Sequence, residues 1–164
     1  MLAFACIFGL SFATAGEHER TAIGFLFGLG VLLGAALGPC LRQYAESDPS
    51  ALWQAAGSTA AFVGGLGALG YATRRDLSLQ ARTLFFALLG LIVFGIVAIF
   101  VTIPHAHILY AALGLVIFGG FSVVDFNRLR HSSRELAVPI AASIFLDVFN
   151  VFLFFLDLFG GVRE

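Results

Sequence analysis

The stretch LAVPIAASIFLDVFNVFLFFLDLFG, residues 136–160, holds only two charged side chains, Asp147 and Asp157. A helix of this length reaches about 37 Å, more than the ~30 Å of hydrocarbon in a bilayer. The rest of the chain has the same character. Of its 164 residues 60% are hydrophobic and 12% charged, mean hydropathy is +0.98, and 19 Phe accompany 19 Gly. A soluble domain of that size cannot hide so much apolar surface, so the pattern is that of an all-α polytopic transmembrane helical bundle.

Working outward, the chain separates into six apolar segments, at about 1–15, 22–41, 51–72, 83–103, 107–126 and 136–160. The last two extend as helices to about 107–131 and 138–160. The linkers are too short for a soluble domain, so residues 1–164 read as one transmembrane domain. Every segment but the first reaches the ~20 residues that a spanning helix needs. Ala13-Thr14-Ala15 has the small-x-small form of a signal-peptidase site, but no basic residue precedes it. That favours the end of a spanning helix over a signal peptide.

All nine basic residues are Arg. Arg20, Arg74, Arg75, Arg82, Arg128, Arg130 and Arg134 fall in alternate connections, which makes those connections cytoplasmic. Only Arg42 and Arg163 lie on the other side. A net charge of -1 argues against a nucleic-acid partner. Cys6 and Cys40 form no spaced pair and read as packing residues. Gly24/Gly28 and Gly30/Gly34/Gly38 recur at four-residue spacing, and the third segment carries Gly57, Gly64, Gly65, Gly67 and Gly70. Small residues at such spacing let helices approach, and tight packing within the chain is preferred here over a dimer face.

Two aspartates stand in apolar surroundings, Asp125 in GGFSVVDFN (119–127) and Asp147 in AASIFLDVFN (141–150). An ionised carboxylate there costs roughly 3 kcal/mol on insertion scales, so both are candidates for function. If the fifth helix runs to about 132 and the last begins near Pro139, the two acids lie roughly 10 and 12 Å below the hairpin turn, at one depth. Ser143, Asp147 and Asn150 share one face at i, i+4, i+7, and Ser122 shares a face with Asp125. Gln54 and Ser58 do likewise on the third segment. Two carboxylates in one buried site do not both ionise cheaply, so they titrate as a coupled pair. Sharing a proton, they pin the last two helices together; doubly ionised, they repel and offer hard oxygen ligands that suit Ca²⁺ without excluding H⁺ or Na⁺. The structural alternative is an acid capped by Arg128 or by a backbone group.

At these residues the sequence resembles the Bax-inhibitor-like family of membrane proteins, also called the transmembrane Bax inhibitor motif family. The resemblance rests on Gly57-Ser58-Thr59, Thr73-Arg74-Arg75-Asp76-Leu77-Ser78, Val124-Asp125, and the run Phe145-Leu146-Asp147-Val148-Phe149-Asn150-Val151-Phe152-Leu153. It implies a seven-helix fold, a bacterial inner-membrane location, a pH-sensitive calcium leak, and a diaspartyl sensor falling on Asp125 and Asp147. The family has a further helix before the first segment, and its absence here puts the leak in question. A basic residue that latches the closed state in the family falls near His18 to Arg20. Asp157 stands where relatives carry a basic residue, and reads as interfacial.

His105-x-His107 reads as interfacial loop residues in preference to a metal or pH site. Arg74-Arg75-Asp76 with Ser78 reads as a helix-terminal cap and topological anchor. No nucleophile–base arrangement and no phosphate-binding glycine loop is present, so the expectation is a non-enzyme without cofactor, with Ca²⁺ as a transported ion. The leading function is a pH-sensitive cation leak gated by Asp125 and Asp147, with the bilayer, Ca²⁺ and H⁺ as partners. The alternative is a non-transporting regulator with a membrane-protein partner, such as a modulator of a membrane protease.

Overall fold

A computed structural model of the chain describes residues 19–101, 104–132 and 136–161. They form five α-helices: α1 Glu19–Ser47, α2 Pro49–Ala72, α3 Ser78–Phe100, α4 Ala106–His131 and α5 Ala137–Gly161. The expected first segment, 1–15, lies outside the described residues, so five of the six segments are represented. Among the described residues four helices are long and apolar enough to cross a membrane: Ile23–Ser47, Ser78–Phe100, Ala106–His131 and Ala137–Gly160. Segment length alone predicts that α2 spans as well. It has the length, at 24 residues, but five Gly, Gln54, Ser58 and Thr59 dilute its apolarity. Of these, Thr59, Gly67 and Gly70 are buried against other helices, whereas Gly57, Gly64 and Gly65 are exposed.

Helix ends depart from the apolar limits because hydropathy marks the membrane, not the helix. The second segment was expected to stop near 41, yet α1 continues to Ser47. Its last turns, LRQYAES, are good helix formers with an Arg42–Glu46 ion pair of 2.9 Å at i, i+4. Asp48 then caps α2, accepting from Ala51 N at 3.3 Å, with Pro49 in the first turn. The α2–α3 loop ends where Asp76 accepts from Ser78 N at 2.9 Å, so α3 starts five residues before the expected 83. Helix α4 opens after Pro104 with His105 in the left-handed region at φ 58.

Helices α2, α4 and α5 form the centre, α3 leans mainly on α4, and α1 touches α2 and α5. The buried stripe of α2 is Ala51, Ala55, Thr59, Val63, Gly67 and Gly70, close to a strict four-residue repeat. Gln54 is exposed and Ser58 only partly covered, so the interior face lies one residue round from the predicted polar one. A Cβ on Gly70 would run into the Val123 carbonyl of α4, and one on Gly67 would lie 2.9 Å from the Phe126 ring. Between α4 and α5, Phe154 packs over Gly114 and beside Ala111, Tyr110 and Phe118. The glycines of α1 behave otherwise. Around Gly24, Gly34 and Gly38 there is open space among the described residues, and Gly30 meets only Phe145, at 3.9 Å. The expectation that this stripe packs within the chain is therefore not met by the described helices.

Candidate functional site

Asp125 sits six residues before the end of α4, about 9 Å from it, and Asp147 ten residues after the start of α5, about 15 Å in. Along their own helices the acids are thus offset by roughly one turn, because α5 begins at Ala137 rather than near Pro139. They remain within electrostatic range of each other. Both are sealed, at 2% and 4% exposure, and one oxygen of each, Asp125 Oδ2 and Asp147 Oδ2, is buried without a hydrogen-bond partner among the described residues. Unpaired carboxylate oxygens in such a setting are costly unless protonated or ligated.

Asp125 forms part of a cleft of about 580 Å³ between α4, α5 and the α2–α3 loop, with Arg128, His131, Asp76 and Ser143 also in its walls. The Ser143 hydroxyl faces the Asp125 carboxylate from α5. On the other side Arg128 Nη1 lies 3.7 Å from Asp125 Oδ1. Asp147 is one turn beyond Ser143 on α5 and does not line the cleft. The opening is at the end of the bundle that carries Arg74, Arg75, Arg128 and Arg130.

The remaining expected site residues divide. Ser122 is fully buried, but its hydroxyl donates to Phe118 O at 3.0 Å, one turn back on its own helix. Asn150 Nδ2 donates to Leu146 O at 2.7 Å in the same way. Both side chains therefore direct these donors to their own backbone instead of to the acids. His18 lies outside the described residues, as does the Arg20 side chain, although Arg20 falls in the first turn of α1. At the opposite end, Asp157 is partly buried and within electrostatic range of His107, while His105 and His107 are exposed.

At the cleft end the sequence does not single out one residue that the structure uses. Asn127, 1% exposed, donates Nδ2 to Thr73 O at 2.8 Å and to Gly70 O at 3.2 Å, and its Oδ1 accepts from Leu77 N at 3.3 Å. Arg130 adds Nη1 bonds to Tyr71 O at 2.8 Å and Ala72 O at 3.2 Å. Together they cap the C-terminus of α2 and fix the loop that supplies Asp76. The available signal was the parallel between DFN (125–127) and DVFN (147–150), an amide following each buried acid. Asp76 itself is exposed. Hydrogen bonds from the backbone and hydroxyl of Ser78, aided by the His131 and Arg128 charges, hold its carboxyl below the usual carboxylate range.

Membrane-length helices around two sealed acids define a multi-pass helical membrane protein. A family model described as "Inhibitor of apoptosis-promoting Bax1" matches residues 1–164, and the chain belongs to that family. Relatives include an uncharacterized protein of Caulobacter vibrioides, 31% identical over 163 residues, covering 93% of this chain and 64% of the relative. An uncharacterized protein of Chlamydia muridarum is 30% identical over 172 residues, covering 93% and 72%. An "Uncharacterized membrane protein" of Vibrio cholerae is 30% identical over 131 residues, covering 79% and 59%. The chain thus spans less than two thirds of the Caulobacter and Vibrio relatives.

Proposed function

We propose that the protein is a pH-sensitive cation leak of the bacterial inner membrane, Ca²⁺ being the favoured ion, with Asp125 and Asp147 as its proton-sharing gate. The observation that carries the reading is the pair of buried, unpartnered oxygens, Asp125 Oδ2 and Asp147 Oδ2, one of them at a polar cleft. Sharing a proton satisfies the pair and holds α4 against α5. Loss of that proton leaves two like charges at low dielectric, which drives the helices apart and attracts a cation. Among the described residues no group of three or more His, Cys, Asp or Glu surrounds the pair. A cation there keeps much of its water, which suits passage better than storage. By the arginine distribution the cleft opens to the cytoplasm.

The test is calcium efflux from dye-loaded liposomes across a pH series. Asp147→Asn and Asp125→Asn are expected each to abolish the pH response. Unchanged flux and pH dependence in both variants would overturn the reading. A second reading, a non-transporting membrane regulator, draws on the open face of Gly24, Gly34 and Gly38 on α1. A stoichiometric co-purifying membrane partner, with no liposome flux, would favour it over the first.

A further inference from the structure

At the cleft, Asp125 meets a cation supplied by its own helix. The Arg128 side chain is 54% exposed, so its guanidinium approaches the sealed carboxylate from the water side and stands over the cleft. Asp76, on the α2–α3 loop, lines the same cleft and feels the charges of both Arg128 and His131. Arg128 pairs here with Asp125, and Asp76, within its electrostatic range across the same cleft, is the alternative partner. Pairing with Asp125 offsets an isolated buried charge but strips water from the guanidinium; pairing with Asp76 leaves both groups hydrated. Such opposing terms nearly cancel, so neither position is strongly preferred.

Resting on the cation-pathway reading above, we propose that Arg128 is an internal competitor for the cation. It exchanges between Asp125 and Asp76, and a cation reaches Asp125 only while Arg128 is held by Asp76. The loop is a firm anchor for the outer position, because Asn127 and Arg130 tie it to α4 and Ser78 holds the Asp76 carboxylate through both of its oxygens. His131 is the other basic side chain facing Asp76. Its Nδ1 lies 2.8 Å from Asn127 O, and since a carbonyl only accepts, Nδ1 is the donor. From α5, Ser143 and Asp147 complete the surroundings of Asp125.

The test needs no ion conduction. In full-length protein carrying Cys6→Ala and Cys40→Ala, Ile140→Cys places a thiol on the cleft wall. Its rate of modification by a cationic trimethylammonium-ethyl methanethiosulfonate reports how often the cleft admits a cation. Removing the competitor with Arg128→Gln should raise the rate about fivefold, and Arg128→Lys should stay within about twofold of the parent. Asp76→Asn keeps an acceptor for Ser78 but gives up the outer position, and should slow labelling about threefold. The deciding comparison is the double variant, in which Asp76→Asn should change the rate less than about 1.5-fold once Arg128 is gone. A simple field effect of two surface charges predicts additivity instead, and additivity would overturn the proposal. So would an Arg128→Gln rate equal to the parent's. A labelling cycle that behaves as expected in a protein without calcium flux would leave the arginine exchange standing and remove the channel reading alone.

Discussion

Replacing Asn127 by Ala removes an amide that the structure uses completely. The side chain is 1% exposed and joins α4 to the end of α2 and the start of α3 through Thr73 O, Gly70 O and Leu77 N. Gly70 O keeps a second donor, Thr73 N at 3.2 Å, so two backbone groups are orphaned. Each buried group left unpaired costs about 1–3 kcal/mol, less where water reaches it, as it does near the loop. The sum is about 2–4 kcal/mol of stability. Asn127→Asp is the informative control, since a carboxylate still accepts from Leu77 N but cannot donate to the two carbonyls, and it should be at least as damaging. Arg130→Ala, whose bonds lie at the exposed rim, should cost about 1 kcal/mol or less. Reversible unfolding in mixed micelles, followed by circular dichroism, measures all three. An Asn127→Ala protein within about 0.5 kcal/mol of the parent would refute the reasoning, because it would mean that the three bonds are replaced by water at no net loss.

Four further outcomes follow from particular contacts. Gly70→Ala should destabilise the bundle by at least about 2 kcal/mol, because the added Cβ meets the Val123 carbonyl and a backbone atom does not give way. Gly34→Ala, with nothing within 4 Å among the described residues, should be neutral or raise stability by up to about 1 kcal/mol through helix propensity, and the same unfolding assay compares the two. Phe154→Ala should cost about 3 kcal/mol, since the ring fills the space over Gly114 between Tyr110 and Phe118. Ser78→Ala should move the Asp76 carboxyl partway back up toward the usual range, the larger contribution from the Ser78 backbone N–H remaining. Because the Asp76 carboxyl is depressed in the fold, its stabilising contribution is present above the ordinary carboxylate range and fades as pH falls through the lowered value. Carboxyl carbon NMR titration of Asp-labelled protein follows this, and an Asp76 midpoint unmoved by Ser78→Ala would contradict it.

The class of fold was legible because membrane insertion is a local property: twenty apolar residues in a row satisfy the bilayer wherever the rest of the chain goes. Helices α4 and α5 were located to within a residue or so, and Asp125 and Asp147 stood out because a charge in hydrocarbon is anomalous on any fold. Helix ends in water were less legible. The reach of α1 to Ser47 and the early start of α3 depend on propensity and capping, which hydropathy does not register. The stripe on α2 was misjudged by one residue because Ala, Gly and Ser carry little directional signal, so polarity pointed to Gln54 while burial fell on Ala51, Ala55 and Thr59.

By itself, then, the sequence determined a multi-pass helical protein of the Bax-inhibitor-like family with two acids in its last two helices. The tertiary structure decided what those acids face. It directed the Ser122 and Asn150 donors to their own backbones, brought Ser143 to the Asp125 carboxylate that Arg128 already neighbours along α4, and made Asn127 the clasp for the loop that carries Asp76. The physical reason is that the direction of a hydrogen bond and the partner of a charge depend on helix rotation and on groups some fifty residues apart, such as Asn127 and Thr73, which no local pattern encodes.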